Sequence, residues 1–382
     1  KHFFSKYNGL RPRLRNAWLM GFLGVSMLLS MFLFVALRLE RKDQAVNVSA
    51  YVPSPADLSL EGCAALLSYY GSSGPNNTEV VVVEHNPFFN MAVWKEGDLI
   101  SREIQQTKQL GEQGMPLDGD EVLIDVGANV GWYTLKAASE GHRVFAFEPM
   151  PQNYELVHWS LCKNGFTHVK LFNVALGSKE QSCWMESAYD NFGNGVVRCK
   201  NERDSGGVMQ EREHFERASH IKALRFDSLL PALGLDALGS RPLTLKVDIE
   251  GSEVGFFEGA QRFFSGPNAP TLIQLEVNER FLIQKGKSAQ LLLQKLSTVN
   301  NYDIYINQCA KIPKGLIFGS KRRFWAFLKK HGVPEYPGQF DVVAILRTWS
   351  DHFMWLSNIY CGFSSVKYLP SYRHLESCNQ LQ

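Results

Sequence analysis

The chain has 382 residues, 45% of them hydrophobic and 20% charged, with a formal net charge of +2. That is the composition of a folded body of one large or two modest domains, and it excludes a collagen-like, low-complexity or wholly disordered chain. Residues 1–43 hold eight Lys/Arg against two acids, leaving 32 basic and 36 acidic side chains in the remainder; no basic field is left over for a polyanion, so no nucleic-acid partner is expected.

The first element is apolar. Ala17 to Leu37, "AWLMGFLGVSMLLSMFLFVAL", carries no charge, and about 20 apolar residues is the length of a spanning helix. Lys1, Lys6, Arg11, Arg13 and Arg15 precede it without an acid, whereas the flank after it is nearly balanced. The positive-inside rule then leaves 1–16 as a cytosolic tail, 17–37 as a signal-anchor and the bulk of the chain luminal. A cleaved signal peptide is the competing reading, but its apolar core would be about 7–15 residues before a small-residue cleavage site, and "LRLERKD" follows here. The expectation is a single-pass type II endomembrane protein, of the Golgi type. Asn47 and Asn76 head N-x-S/T acceptors for N-glycosylation in the stem, 38–78. Of seven cysteines, some should pair in an oxidising compartment; Cys183 with Cys199 and Cys361 with Cys378 are close in sequence, while Cys162, in an apolar helical pattern, reads as a buried free thiol.

The stem is Pro-, Ser-, Gly- and Asn-rich, with one short helix expected around Glu61–Tyr70. Two strands, "VVVV" and "MAVWK", and a helix from "ISREIQQTKQLGEQG" lead into the main domain, 79–346. From Glu121 apolar strands alternate with helical patterns closed by glycine: "EVLIDVG", "WYTLKAASEG", "RVFAFEP", "QNYELVHWSLCKNG" and "HVKLFNVAL". An irregular excursion, Gly177 to His220, interrupts this rhythm. "IKALRFDSLL", "LTLKVDIEG", "SEVGFFEGAQRFF", "TLIQLEVN" and "ERFLIQKGKSAQLLLQKL" resume it, and "YDIYIN" and "FDVVAIL" close it before a C-terminal extension, 347–382. Strands separated by such helices make an α/β fold, a mostly parallel sheet with helices on both faces.

In such sheets ligands bind beyond the carboxyl ends of the strands. The turn "DVGANVG" ends the first strand of the alternating set, and Glu148 ends the next, about 20 residues on, where a carboxylate binds ribose hydroxyls. The dinucleotide fingerprint fails, because Asn129 and Trp132 stand where its second and third glycines belong, and there is no GxxxxGK[ST] loop. Asp125 at the strand end would repel a phosphate and suit a ribose with a cationic head, as in S-adenosylmethionine. A nicotinamide dinucleotide and a ligand-free structural turn remain as alternatives.

"LIDVGANVGWYTL", "VFAFEPMPQNYELV", "FNVALGSKE", "RFDSLL", "LKVDIEGSEVGFFEGA" and "LIQLEVN" also resemble, in order and spacing, the successive motifs of the FkbM-type methyltransferases over roughly Glu79 to Leu346. The resemblance implies a Rossmann-like class I methyltransferase fold with a seven-stranded sheet, S-adenosylmethionine as cofactor, and O-methyl transfer onto a sugar or other hydroxylated molecule. It places Asp125, Gly127, Asn129, Gly131 and Glu148 in the cofactor motif, and Asn173 and Ala175 beside the adenine. The anchor, the excursion and the tail after Leu346 depart from the family pattern and leave the acceptor open.

A hydroxyl nucleophile must lose its proton near the transition state. Asp248 and Glu250 in "LKVDIEGSE" are the candidate bases, sharing a face if the strand persists that far. They could instead hold acceptor hydroxyls or cap the next helix; a divalent metal is possible there but not expected. Glu276, Trp184 and Tyr189, with Phe192, are candidates for the acceptor wall. Lys246 suits a structural pairing with an acid, His158 suits packing or surface, and His214 and His220, in the last part of the excursion, could approach the site but are weak candidates. A luminal glycan or small hydroxylated acceptor follows from compartment plus resemblance. A membrane-anchored glycosyltransferase-like enzyme and a non-catalytic cofactor-binding scaffold are the other readings.

Overall fold

The computed structural model describes residues 53–83, 87–96, 98–107, 121–188, 191–199, 215–235, 241–299, 302–306, 310–333 and 336–346. The apolar segment 17–37, Asn47, Tyr189, His214, Cys309, Cys361, Cys378 and the extension 347–382 lie outside them. Among the described residues no helix is long and apolar enough to cross a membrane.

The described chain opens with α1 (Leu60–Tyr70), the hairpin β1 (Thr78–Val83) and β2 (Phe89–Trp94), and α2 (Leu99–Thr107). The alternating set follows as β3 (Val122–Val126), α3 (Trp132–Ser139), β4 (Arg143–Phe147), α4 (Pro151–Asn164) and β5 (Val169–Phe172). Next come β6 (Ala175–Leu176), β7 (Gln181–Ala188), β8 (Asn191–Cys199) and β9 (Phe215–Leu224), then α5 (Phe226–Leu233), β10 (Leu243–Val247), α6 (Glu253–Gly259) and α7 (Gln261–Ser265). The chain continues through β11 (Leu272–Asn278), α8 (Glu279–Gln284), α9 (Ala289–Val299), β12 (Tyr302–Ile306), β13 (Ala310–Lys311), α10 (Lys314–Ile317), α11 (Lys321–Lys330) and β14 (Gln339–Leu346).

The main sheet has the order β13-β12-β14-β11-β10-β3-β4-β5. Five neighbours, β11-β10-β3-β4-β5, are parallel, while β14 runs antiparallel to both β11 and β12. The sheet is therefore mixed and eight-stranded; the expected seven gain the two-residue edge strand β13. Strand order reverses between β3 and β10, which opens a crevice at their carboxyl ends.

Both faces are covered, so alternate residues of each strand enter different cores. Val122, Ile124, Val126, Phe145 and Phe147 pack with α5–α7, α9 and α11, whereas Leu123, Val144 and Ala146 pack with α3, α4 and the β1–β2 hairpin. Residues read as stem lie on this second face: Leu58 is buried in its core, and the Ala56 amide donates to the Leu171 carbonyl at 2.8 Å.

The described part of the excursion is not irregular. With β6 it builds a second, four-stranded sheet, β6-β9-β7-β8, with a bulge near Glu186. Its Cys183–Cys199 disulfide joins directly opposed residues of β7 and β8. Cys162 is not a free thiol: it bridges to Cys63, joining α4 to α1. Its partner lies 99 residues upstream and meets it only through helix packing, so local spacing could not reveal the pair.

Candidate active site

A cavity of about 340 Å³ opens at the carboxyl ends of β3, β4, β10 and β11, with the second sheet forming one wall. That volume is in the range of small-molecule sites. Gly127, Asn129, Glu148, Ala175, Asp248, Glu250 and Glu276 all line it, so most of the residues singled out in the sequence meet in one place.

The glycine turn is shaped by close backbone approach. Gly127 has φ +82°, and a Cβ there would stand 1.9 Å from the Asp248 carbonyl oxygen; only glycine lets the β3 and β10 loops touch. Asn129 holds φ +54°, and its amide donates to Glu148 Oε2 at 2.7 Å. Gly131, with φ +92° and a Cβ position 2.9 Å from Val157, starts α3. It shapes the turn without lining the cavity.

Glu148 also accepts from the Met150 amide at 2.9 Å. Burial pushes its carboxyl up to about 8 against those two donated hydrogen bonds. The turn after it is braced by Asn173, whose Nδ2 donates to the carbonyls of Glu148 and Pro149 at 2.8 and 3.2 Å. Asn173 is therefore a brace behind the wall, and its neighbours Val174 and Ala175 face the cavity.

Asp125 is fully buried beneath the cavity and does not line it. Its Oδ2 accepts from Thr134 Oγ1 at 2.7 Å, and its Oδ1 lies 3.5 Å from Lys246 Nζ. Lys246 donates to the Gly127 carbonyl at 2.6 Å and stands 3.6 Å from Asp248 Oδ2. Burial opposes the charge on Lys246, but Asp125 and Asp248 more than offset it and raise its pKa. The lysine thus ties the ends of β3 and β10 together, the structural pairing expected of it.

Strand alternation does not bring Asp248 and Glu250 together, since β10 ends at Val247 and Glu250 adopts φ +48°. The turn itself delivers both. Carboxylate oxygens of Asp248, Glu250 and Glu276 lie within 4.8 Å of one another, a set that could ligate a cation. Burial first, and then Asp248, Glu250 and Asp341, push Glu276 up to about 9. Gln339, opposite Asn278 at the start of β14, donates to Glu276.

Trp184 does not join the acceptor wall. It meets His220 edge-on at 5.6 Å, and the next residue, Met185, lines the cavity instead, because successive strand residues face opposite sides. Tyr189 and the Phe192 side chain lie outside the described residues. His158 bonds the Asp57 carbonyl and is not among the cavity lining residues, and His220 is exposed. The sequence reading missed Asn153, Met185, Gly195, Val197, Ser252 and Gln339 in the lining. Lys285 went unread as well: it donates to Ser252 Oγ at 2.5 Å and the Val197 carbonyl at 3.2 Å, pinning β8 over the site loop.

The fold and site define an α/β domain with an acidic crevice at the switch point. Comparison with known proteins gives a family match over part of the chain. Residues 125–304 match the family model described as the methyltransferase FkbM domain, a little under half the chain. The matched stretch runs from Asp125 into β12 and carries all four acids that line the cavity. AMB antimetabolite synthetase AmbE of Pseudomonas aeruginosa is 25% identical over 191 residues, 43% of this chain. The chain spans only 9% of that relative's length. Among solved structures, a precorrin-6y C5,15-methyltransferase from Geobacter metallireducens is 15% identical, covering 67% of this chain and 94% of its own at a TM-score of 0.30. A SAM-dependent methyltransferase from Neisseria gonorrhoeae is 14% identical, covering 58% and 82% at 0.21.

Proposed function

We propose that the chain is an S-adenosylmethionine-dependent O-methyltransferase acting on a hydroxyl of a luminal acceptor, a glycan or sugar in the first instance. The observation that carries this is the chemistry of the lining: four carboxylates, Glu148, Asp248, Glu250 and Glu276, and no Lys or Arg among the described lining residues. A diphosphate finds no counter-charge there, whereas a nucleoside with a cationic head finds acidic groups at Asp248 and Glu250, with Glu148 and Glu276, raised to about 8 and about 9, as neutral polar neighbours. The match to a methyltransferase family over the same residues supports the reading.

Glu148 would accept from ribose hydroxyls, the Asn129–Asn153 pair would flank it, and Val174, Ala175 and Met185 would form the apolar base pocket. The bound cofactor would supply a methyl group on a cationic sulfur. Positioning the acceptor oxygen in line with it, and excluding water, is the protein's task. At neutral pH Glu276 keeps its proton and can donate a hydrogen bond to the acceptor; Asp248 or Glu250 then takes the hydroxyl proton.

The luminal, Golgi-type placement rests on segment 17–37 and its flanking charge. Two disulfides suit an oxidising compartment, and Asn76 is exposed for glycosylation. A glycosyltransferase-like enzyme is favoured by one observation, the three acids that could bind a metal–diphosphate donor; a scaffold that binds cofactor without turnover has no observation in its favour. Calorimetry separates these readings. Uptake of S-adenosylmethionine without uptake of NAD or a nucleotide sugar, followed by transfer of labelled methyl to glycans, is the expected result. Binding of a nucleotide sugar with manganese, and not of S-adenosylmethionine, would overturn it.

A further inference from the structure

From 304 to 334 the chain contains seven Lys/Arg and no acid, while the rest of 44–382 carries eleven more acids than bases. The near-neutral average therefore conceals a sharp separation of charge. The structure folds this segment so that its cations face outward. Helix α11 buries Phe324 and Leu328 in the main core, and Lys321, Arg322, Arg323, Lys329 and Lys330 are all exposed. Ten residues make a cationic face about 15 Å long.

This face begins at the crevice. Lys321 Nζ donates to the Tyr336 hydroxyl at 2.8 Å, stands 4.2 Å from that ring's centroid, and lies 3.8 Å from Glu279 Oε1. Glu279 directly follows β11, its amide bonded to the Gly338 carbonyl, and the next residue, Gln339, lines the cavity. A molecule whose hydroxyl sits at the acid cluster can therefore continue past Gln339 and Tyr336 onto α11.

We propose that the acceptor is an acidic polysaccharide, bound by α11 through its carboxylate or sulfate groups while a neutral hydroxyl enters the crevice. This rests on the methyl-transfer reading above and adds the substrate class. The acid cluster repels an anion at the reacting sugar, so the anionic groups must be carried by neighbouring units, which the length of α11 accommodates. A bilayer is the poorer occupant because Phe324 and Leu328 of α11 are buried in the core, which leaves beside the cationic face only the exposed Phe318 and Tyr336 rings among the described residues, too few apolar groups for an inserting helix face.

The test measures retention of the detergent-solubilised full chain on immobilised polygalacturonate, neutral dextran and duplex DNA, and its flotation with phosphatidylserine vesicles, over a salt series. The variant is Arg322→Ser/Arg323→Ser/Lys330→Ser. Expected are salt-sensitive retention on polygalacturonate, none on dextran, and at least tenfold weaker binding by the variant. The log–log salt dependence should become shallower by up to about one per cation removed. S-adenosylmethionine uptake by the variant should match the parent, showing an intact fold. Equal retention of variant and parent, or DNA or vesicle binding at least as strong as polygalacturonate binding, would overturn the proposal. Polygalacturonate binding by a chain that takes up no S-adenosylmethionine would uphold the surface and sink the methyl-transfer reading instead.

Discussion

Replacing Glu276 by glutamine tests the acid-crowded crevice directly. In the folded chain its carboxyl is raised from the ordinary 4.5 to about 9, by burial first and then by Asp248, Glu250 and Asp341. The folded state therefore holds this proton more tightly than the unfolded state does. The resulting stability is fully present below about pH 4.5 and is lost as pH rises toward 9. One pKa unit is about 1.4 kcal/mol, so the ceiling between pH 4.5 and 7 is about 3 kcal/mol. Because the neighbouring acids share the repulsion, about 1–2 kcal/mol is the expected size at pH 7. The Glu276→Gln substitution keeps the side-chain volume and an oxygen that can accept from Gln339. Urea unfolding of both proteins at pH 5, 7 and 9 reads the difference. The variant should nearly match the parent at pH 5 and become progressively the more stable at 7 and 9. A difference that does not change with pH, or a variant less stable at pH 9, would refute the reasoning.

Three further outcomes follow from named contacts. Gly127→Ala puts a Cβ 1.9 Å from the Asp248 carbonyl at φ +82°, so it should cost more than about 3 kcal/mol in thermal or denaturant unfolding and abolish S-adenosylmethionine uptake by calorimetry. Cys63→Ser with Cys162→Ser opens a loop of 99 residues; the chain-entropy ceiling is about 4.7 kcal/mol, against about 3 for the 16-residue Cys183–Cys199 loop, and denaturant midpoints of the two double variants should rank that way. Asp248→Asn should retain S-adenosylmethionine binding and lower turnover by about 10²–10⁴-fold if it is the general base, measured by single-turnover methyl transfer.

The parallel half of the fold was readable because its strands are buried on both faces and so appear as apolar runs, each followed by a glycine-closed helix. Where the chain leaves that rhythm, local pattern failed for physical reasons. "HVKLFNVAL" reads as one strand, but Asn173 turns inward to brace the Glu148 loop, and Ala175–Leu176 cross to the second sheet. That sheet pairs β7 with β9 across about thirty residues of chain, a partnership no window of sequence contains. α10 and α11 were missed because Pro313, Gly315 and Gly319 break the apolar period and the charge of "KRRFWAFLKK" masks the Phe324–Leu328 stripe.

The same distinction explains the site. Residue type at a strand end located the crevice correctly, because a parallel sheet presents those ends together, but it could not tell a lining group from a support. Asp125 was taken for a ligand because a carboxylate there disfavours phosphate. In the fold it lies one layer down, where Thr134 and Lys246 share it, and Lys246 passes the connection on to the Gly127 carbonyl and Asp248. On the methyl-transfer reading its influence on a nucleoside would be exerted through the shape of the glycine turn, and an anion there is tolerated only because a buried cation sits 3.5 Å away. Glu148, by contrast, meets no cation within ion-pair distance among the described residues; backbone amides hold it and burial keeps its pKa high. Of the two strand-end acids, Glu148 is the one left facing the cavity. Affinity for the nucleoside should follow Glu148, and the geometry of the turn should follow Asp125.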